Sequence, residues 1–390
     1  MKHVYADHAA TTRPAPEAVQ AMLPYVADGF GNPSSVHTRG EAARDAVEAA
    51  RIEVARLMAA QPEEIVFTAS GSESNNLALK GVAASTDGTR RRIVVSAIEH
   101  PSVLATAKHL EARGHALTVV PVQANGRIDP DELGAALGDD VALVSVMALN
   151  NETGVTQPLE DIGARVKACG ALFHVDAVQA PGKLALHVDG WNADLVSIAA
   201  HKFGGVPGAA ALFVRRRTRL VPLVHGGRQE RGRRAGTENV PAIVAMGAAA
   251  VLARTALATG EPARLADLGE RLLAALLMRV ADTRLNGDLN QRAGGILNVC
   301  FAGVDGEAAL HELDRAGVIV STGSACSSGE QGPSHVLTAM GLTAEDAHAS
   351  VRFSLGREST AEDVEYIAEV TPPIVERLRA LSGPALGKSA

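Results

Sequence analysis

The sequence predicts an α/β protein with a mainly parallel sheet sandwiched by helices, joined to a smaller α+β domain. Short apolar runs alternate with helical patterns up to Pro241, which is typical of βαβ units and a parallel sheet. After Pro241 the chain changes to long helices rich in alanine and leucine and to shorter strands. We therefore expect a large domain over residues 15–259 and a small domain over residues 1–14 and 260–390.

Hydrophobic periodicity assigns the elements along the chain. Apolar runs predict strands at residues 65–68, 92–97, 116–121, 141–148, 172–175, 194–198, 210–214, 296–301, 318–321 and 351–355. Helical spacing predicts helices at residues 17–27, 39–60, 71–84, 102–113, 129–137, 159–168, 242–258, 264–280, 307–316 and 361–381. Parallel sheets bind ligands at the carboxyl ends of their strands, so polar residues that follow an apolar run are the candidates for function.

Composition argues against several classes of protein. The 390 residues are 46% hydrophobic and 21% charged with a net charge of −7, so we expect no direct binding of nucleic acid. No apolar run approaches the roughly 18–20 residues that span a bilayer, and the first residues lack the apolar region of a signal peptide. Cys169, Cys300 and Cys326 have no CxxC spacing. We therefore expect a cytoplasmic protein with no membrane partner, no disulfide scaffold and no metal.

Residues 194–208 are the segment around which the chain is organised. An apolar run ends in two alanines, then His201 and Lys202, and then a turn with glycines at 204, 205 and 208. A strand of this kind delivers the lysine to a loop, where its amine can lose a proton and attack a carbonyl. Taken alone, a His-Lys pair after a strand is more often a surface pair.

Three other polar residues come directly after predicted strands: His100, Asn151 and Asp176. A carboxylate nearly buried at a strand end needs a cationic partner, such as a protonated ring nitrogen or a structural arginine. The alternative interpretations are a structural histidine for His100, an ordinary turn for Asn151 and a pair with a structural arginine for Asp176.

Gly71 and Ser72 open a predicted helix directly after a strand. Free N–H groups at a helix N-terminus, small residues and a hydroxyl suit an anion such as phosphate. The same residue types also serve as ordinary helix caps.

Cys326 and Arg352 are the candidates in the second domain. Cys326 lies among small polar residues from 321 to 329, where a thiol is accessible and can react. Arg352 lies inside a strand pattern, so it either points outward or clamps a carboxylate through its bidentate fork.

Together these residues occur in an order that resembles the cysteine desulfurases of the NifS/IscS type, which are fold-type I enzymes that use pyridoxal phosphate. The similarity runs over nearly the whole chain, and nine short motifs in the family's order are very specific. The motifs are YADHAATT at 5–12, GNPSS at 31–35, GSESNN at 71–76, NNETG at 150–154, HVDAVQ at 174–179, HK at 201–202, GTEN at 236–239, GSAC at 323–326 and RFSLG at 352–356.

The resemblance implies a fold-type I architecture with a seven-stranded sheet in the large domain and the loop of Cys326 in the small domain. It implies that Lys202 carries the cofactor and then moves protons. Asp176 would pair with the ring nitrogen, His100 would stack on the ring face, and Gln179 would hydrogen-bond the ring oxygen.

The resemblance also implies how the phosphate and the substrate are bound. The phosphate site would be completed by the partner subunit of an obligate homodimer, in which residues 228–234 form an interface loop. The phosphate-binding residues would be Gly71, Ser72, His201 and the partner-supplied Thr237. The substrate-binding residues would be Arg352, Asn32 and Asn151, of which Asn151 also faces the cofactor.

The implied reaction removes sulfur from L-cysteine and gives L-alanine and a persulfide on Cys326, from which an acceptor protein takes the sulfur. The GSAC form of the cysteine motif at 323–326 indicates the group I subclass. The sequence leaves the destination open among iron–sulfur assembly, tRNA thiolation, cofactor synthesis and DNA phosphorothioation. A class V aminotransferase, a selenocysteine lyase and a non-catalytic scaffold are the competing interpretations, and sulfide release from cysteine distinguishes the first of these.

Two positions depart from the family pattern. Ala199 stands three residues before the lysine, where the family has a serine or threonine that contacts the phosphate. The family's Gly-Pro-Lys-Gly after the lysine is here Gly205-Val206-Pro207-Gly208. We expect one lost hydrogen bond to the phosphate, which corresponds to about 1–2 kcal/mol.

Overall fold

The computed structural model describes residues 2–86, 88–322 and 332–382. Their strands are β1 (Val4–Tyr5), β2 (Ile65–Thr68), β3 (Arg92–Ser96), β4 (Ala116–Val120), β5 (Val141–Ser145), β6 (Leu172–Asp176), β7 (Leu195–Ala199), β8 (Ala210–Val214), β9 (Thr283–Asn286), β10 (Ile296–Phe301), β11 (Val318–Ile319) and β12 (Ser350–Ser354). Their helices are α1 (Pro16–Val26), α2 (Thr38–Leu57), α3 (Gly71–Ser85), α4 (Pro101–Glu111), α5 (Pro130–Ala136), α6 (Leu159–Cys169), α7 (Val240–Ala258), α8 (Glu261–Arg279), α9 (Gly306–Arg315), α10 (His335–Ala339), α11 (Ala344–His348) and α12 (Ala361–Ser382).

A seven-stranded sheet forms the centre of the large domain, with strand order β2-β8-β7-β6-β5-β3-β4. Strand β8 runs antiparallel to β2 and β7, and the other neighbours are parallel. The prediction of a mainly parallel seven-stranded sheet is confirmed. Because β5, β6 and β7 run in the same direction, the residues that follow them lie at one edge of the sheet.

Helices cover both faces of this sheet. Val144 and Val196 pack in a cluster with buried residues of α2, α6 and α7. Leu143 and Leu195, their neighbours along the strands, pack in a separate cluster with α3 and α4. Strands buried on both faces need apolar residues at every position, which is why they are continuous apolar runs in the sequence.

The small domain combines both ends of the chain. Its antiparallel sheet has the order β12-β10-β9, and β1 pairs in parallel with β11. Val4 and Ala6 share a core with apolar residues of α8, α9 and α12. This packing supports a small domain that includes the N-terminal residues, while the bounds at residues 14 and 259 stay a prediction.

The sequence patterns missed four short elements: β1, β9, α10 and α11. Strand β1 has two residues and β9 reads TRLN, so neither is an apolar run. Helices α10 and α11 have five residues each, which is too short for helical periodicity to be visible. Helix α10 also packs unexpectedly, since Val336, Leu337 and Met340 contact Ile98 and Met147 of the large domain.

Helix α7 corrects the expectation that no apolar run reaches the length of a bilayer. Among the described residues it is the single helix that is long and apolar enough to cross one, with 19 residues and a mean hydropathy of 1.8. The helix packs against α1 and α2, and Ala245, Met246 and Ala249 are buried in the core of the large domain. Its composition is therefore that of a core helix.

Candidate active site

Lys202 lies where the sequence predicts it, at the end of a short 3₁₀ turn (Ala200–Lys202) that follows β7. Its Nζ donates hydrogen bonds to the carbonyl oxygens of Ala9 and Ala10, each at 2.7 Å. Gly204 has a φ of +91°, which glycine adopts without strain, and this lets the chain turn directly after the lysine. The N-terminal segment thus orients the lysine amine.

Asp176 ends β6 and is almost fully buried. Its Oδ2 accepts a hydrogen bond from Asn75 Nδ2 at 2.7 Å, and its Oδ1 accepts one from the Val178 N–H at 3.0 Å. Asn75 Nδ2 also donates to Ser102 Oγ at 2.9 Å, which connects the carboxylate to the start of α4.

His100 caps that same helix. Its Nδ1 accepts from the Ser102 N–H at 3.1 Å and lies 2.8 Å from Ser102 Oγ. Burial lowers the pKa of His100, and the charges of Lys202 and His335 lower it further, while Asp176 acts to raise it. A neutral imidazole with its proton on Nε2 follows, and such a ring can stack on a planar ligand without a charge to desolvate.

Gln179 shares an acceptor with the lysine. Its Nε2 donates to the Ala9 carbonyl at 2.7 Å, the same oxygen that Lys202 contacts. The side chain is only 5% exposed, and its Oε1 has no hydrogen-bond partner among the described residues. A buried polar atom without a partner costs about 1–3 kcal/mol, so this oxygen marks a place where a ligand donor fits.

The predicted anion cradle lies beside these residues. Helix α3 begins at Gly71 and is capped by Ser70 Oγ, which accepts from the Glu73 N–H at 3.1 Å. A Cβ on Gly71 would lie 2.8 Å from Val178 Cγ2 and 3.5 Å from Ala199 Cβ. The helix start therefore packs tightly against the ends of β6 and β7, and the departure at position 199 lies at this contact.

Two more predicted phosphate ligands differ in exposure. Ser72, the second residue of α3, is exposed. His201 is half-buried, its Nδ1 lies 3.2 Å from Thr11 Oγ1, and burial together with Lys202 lowers its pKa to about 4. A neutral His201 can donate a hydrogen bond to an anion without adding a full charge.

Arg352 connects the small domain to this edge of the sheet. It is only 3% exposed, its Nη2 contacts Asp7 Oδ1 at 2.6 Å, and its Nη1 donates to the Asn151 carbonyl at 3.0 Å. Its Nε is buried without a partner among the described residues. The guanidinium is thus held by contacts on two sides with a donor left for a ligand.

Two predicted residues, Asn32 and Thr237, are not brought into this group. Asn32 is exposed, and its Oδ1 accepts from the Ser34 N–H within its own turn at 2.9 Å. Thr237 is exposed in the segment that follows residues 228–234. Among the described hydrogen bonds, none joins either residue to Lys202 or Asp176. Cys326 lies outside the described residues.

A buried polar network behind the site was missed by the sequence patterns. Glu99 is fully buried, and its Oε1 accepts from Ser96 Oγ at 2.6 Å and from the Met147 N–H at 2.7 Å. Burial raises the pKa of Glu99 to about 8. His174 bridges Ser145 and Ser197 across three strands, and burial lowers its pKa to about 4. A polar residue within or just after an apolar run gives no sequence signal of the partners that it meets on neighbouring strands.

Comparison with known proteins identifies relatives over nearly the whole length of the chain. The class-V aminotransferase family matches residues 4–367. A cysteine desulfurase of Trichormus azollae is 47% identical over 384 residues, which cover 98% of this chain and 95% of that protein. A solved NifS-like protein has a TM-score of 0.91 at 34% identity, over 97% of this chain and 100% of its own. SspA, solved in complex with cysteine, has a TM-score of 0.79 at 35% identity, over 90% of this chain and 98% of its own.

These matches confirm the resemblance that the nine motifs indicated. Proteins of this family depend on pyridoxal phosphate. Since sequence identity and fold agree over nearly the full length, the chain belongs to the class-V aminotransferase family and, within it, to the cysteine desulfurases.

Proposed function

We propose that this chain removes sulfur from L-cysteine with pyridoxal phosphate carried by Lys202, and that Cys326 takes up the sulfur. The observation that carries this proposal is the meeting of Lys202 and Gln179 on the carbonyl of Ala9, with the buried carboxylate of Asp176 three residues before the glutamine. A reactive amine, an unpartnered amide oxygen and a carboxylate at one sheet edge are suited to an aromatic aldehyde with a ring nitrogen.

The residues present fit pyridoxal phosphate. The unpartnered Oε1 of Gln179 can accept from the ring hydroxyl, and Asp176 can pair with the ring nitrogen. The start of α3 at Gly71 packs closely against Val178 and Ala199. A helix start of this kind suits a phosphate, with Ser72 and His201 as further donors. When bound, the cofactor supplies an electron sink that stabilises negative charge on the α-carbon of the substrate.

Residues of this chain then act on cysteine. Lys202 moves the proton of the α-carbon, and Arg352 binds the carboxylate through its fork, beside Asn151. The thiolate of Cys326 attacks the substrate sulfur. The carbon–sulfur bond of cysteine breaks, a sulfur–sulfur bond forms on Cys326, and a proton completes the methyl group of L-alanine. We infer that the persulfide sulfur is next passed to an acceptor protein.

We further propose a homodimer in which Thr237 completes the phosphate site of the partner subunit. Supporting this, Val26, Phe30 and Val36 are 60%, 64% and 90% exposed on one segment. Residues 33–34 of that segment line a surface cavity together with residues 228–231 of the proposed interface loop. Apolar side chains this exposed favour burial against a second copy. Sedimentation should give twice the mass of the chain, and a monomer with a full complement of cofactor would contradict the proposal.

The sulfur-transfer proposal is tested with three proteins. The wild type should bind one pyridoxal phosphate per chain with visible absorbance, and should convert L-cysteine and a thiol reductant into alanine and sulfide. Cys326→Ala should keep the absorbance and lose sulfide release, whereas Lys202→Ala should lose the normal absorbance of the bound cofactor. A wild type without absorbance, or a Cys326→Ala variant with full sulfide release, would refute the assignment.

A further inference from the structure

Glu152 is a buried carboxyl that the proposed mechanism does not use. It is only 4% exposed, and its Oε2 accepts a hydrogen bond from Ser334 Oγ at 2.5 Å. The two residues are 182 positions apart in the chain. Ser334 is also buried, and its Oγ accepts from the Leu337 N–H at 3.2 Å as the N-cap of α10. A single hydroxyl thus joins the turn after β5 to the start of α10.

The turn that carries Glu152 also holds the proposed substrate arginine. Asn151, the residue before Glu152, accepts from Arg352 Nη1 through its carbonyl at 3.0 Å. The side chain of Asn150 fixes the turn from within, since its Oδ1 accepts from the N–H groups of Glu152 and Thr153, each at 2.9 Å. The Glu152 carboxyl is the part of this turn that reaches outward to α10.

Helix α10 is firmly placed on the other side of that bond. His335 Nε2 donates to the carbonyl of Glu99 at 2.9 Å, next to His100. Apolar contacts add to this bond, and the residues in contact are Ile98, Met147, Val336, Leu337 and Met340. The start of α10 is therefore a fixed point against which the turn at Glu152 can be held.

We propose that Glu152 is a positioning residue for substrate binding, and that its bond to Ser334 holds the turn whose Asn151 carbonyl orients Arg352. The inference rests on the proposed role of Arg352 as the clamp of the cysteine carboxylate. A guanidinium fork gains affinity from being oriented before the ligand arrives, because less freedom is then lost on binding. With the turn released, Asn151 no longer fixes one side of the fork, and cysteine binds more weakly.

The test measures alanine release by the cofactor-loaded enzyme as a function of cysteine concentration. Glu152→Ala should raise the KM for cysteine about tenfold while kcat falls less than about threefold. Glu152→Gln keeps an oxygen that accepts from Ser334 and should recover most of the affinity. Ser334→Ala removes the same bond from the other side, so it should raise KM similarly, and the double variant should add little to either change.

A matched control comes from the small domain. Asp305 caps α9, because its carboxylate accepts a hydrogen bond from the Ala308 N–H at 2.9 Å. Like Glu152, it is a carboxylate that is hydrogen-bonded at the start of a short helix. Asp305→Ala should lower the temperature of unfolding and leave KM unchanged. Should Glu152→Ala fail to fold, Ser334→Ala tests the same bond with the carboxyl in place.

Two outcomes separate this inference from the proposed function. A Glu152→Ala variant that unfolds more easily but keeps the wild-type KM, as Asp305→Ala does, would overturn the positioning role. Arg352→Lys tests the proposed function itself, because loss of the bidentate fork should raise KM. If Arg352→Lys leaves KM unchanged, the clamp is wrong; if it raises KM while Glu152→Ala and Ser334→Ala do not, only the inference on Glu152 fails.

Discussion

Replacement of Asn75 by alanine should destabilise the protein through the carboxylate of Asp176. Asn75 Nδ2 donates to Asp176 Oδ2 at 2.7 Å and to Ser102 Oγ at 2.9 Å, and both contacts are lost in Asn75→Ala. A bond to a charged group contributes about 1.5–3 kcal/mol and a neutral one about 1 kcal/mol, so the expected loss is about 3 kcal/mol. Of the described hydrogen bonds to Asp176, only that from the Val178 N–H remains.

The assay is urea unfolding of the cofactor-free protein at neutral pH, with Asn76→Ala as the matched control. Asn76 follows on the same helix, but its Nδ2 donates at 2.9 Å to the carbonyl of Ser72 in its own helix. Truncation there should cost less than about 1 kcal/mol, since the bond is exposed and local. The difference between the two variants measures what the bond to Asp176 contributes.

Asn75→Asp provides a second test with the sign of the effect fixed by charge. It places a second carboxylate against Asp176, so the variant should be less stable than Asn75→Ala at neutral pH and should recover as the pH falls. Equal losses of stability in Asn75→Ala and Asn76→Ala would show that the bond to Asp176 does not stabilise the fold. The same follows if the stability of Asn75→Asp depends on pH no more than that of the wild type.

Three other substitutions have equally specific expected results. Gly71→Ala places a Cβ 2.8 Å from Val178 Cγ2, so it should lower the free energy of unfolding by about 1–3 kcal/mol and weaken binding of pyridoxal phosphate. In a fluorescence titration of the cofactor, adding Val178→Ala to Gly71→Ala should restore most of the affinity. A double variant that binds as weakly as Gly71→Ala would contradict the clash. The raised pKa of Glu99, about 8, means that the folded state keeps a proton that the unfolded chain loses above its ordinary pKa. The free energy of unfolding of the wild type, relative to that of Glu99→Gln, should therefore fall from pH 5 to pH 8 by up to about 1.4 kcal/mol per pH unit. If the difference between the two proteins stays constant with pH, Glu99 is not protonated in the folded state. Arg51 donates to the buried carboxylate of Glu230 at 2.7 and 2.8 Å, so Arg51→Ala leaves that carboxylate without its arginine, and calorimetry should show a loss of about 3–5 kcal/mol. The double variant Arg51→Met/Glu230→Met removes both charges and should recover most of this stability. A double variant as unstable as Arg51→Ala would contradict the role of the ion pair.

Buried strands were the elements that the sequence predicted best. The strands predicted at residues 65–68, 210–214 and 296–301 match β2, β8 and β10 at both ends. Every residue of the three is buried, so the apolar run and the strand are the same segment. The predicted strand at 141–148 is longer than β5 because its last residues stay buried after strand pairing ends.

The candidate site was predictable where a residue follows its own strand. Lys202 and Asp176 lie at the strand ends to which the sequence assigns them, because the end of an apolar run is visible without knowledge of the fold. Asn75 was not predicted to hold Asp176, since a polar residue in the second turn of a helix resembles many others. Asn32 and Thr237 are exposed in the single chain. Their proposed roles depend on the positions of the substrate and of the partner subunit, which a sequence pattern does not give.

From the sequence alone we could predict the alternation of strands and helices, the reactive residue types at strand ends and, through nine ordered motifs, the family. The folded structure was needed to show which side chains meet across long separations in the chain: 101 positions for Asn75 and Asp176, 345 for Asp7 and Arg352, and 182 for Glu152 and Ser334. The reason is physical. Hydrophobic periodicity indicates which residues are buried within a single helix or a single strand. These contacts depend instead on the order of the strands and on how the small domain packs against the sheet.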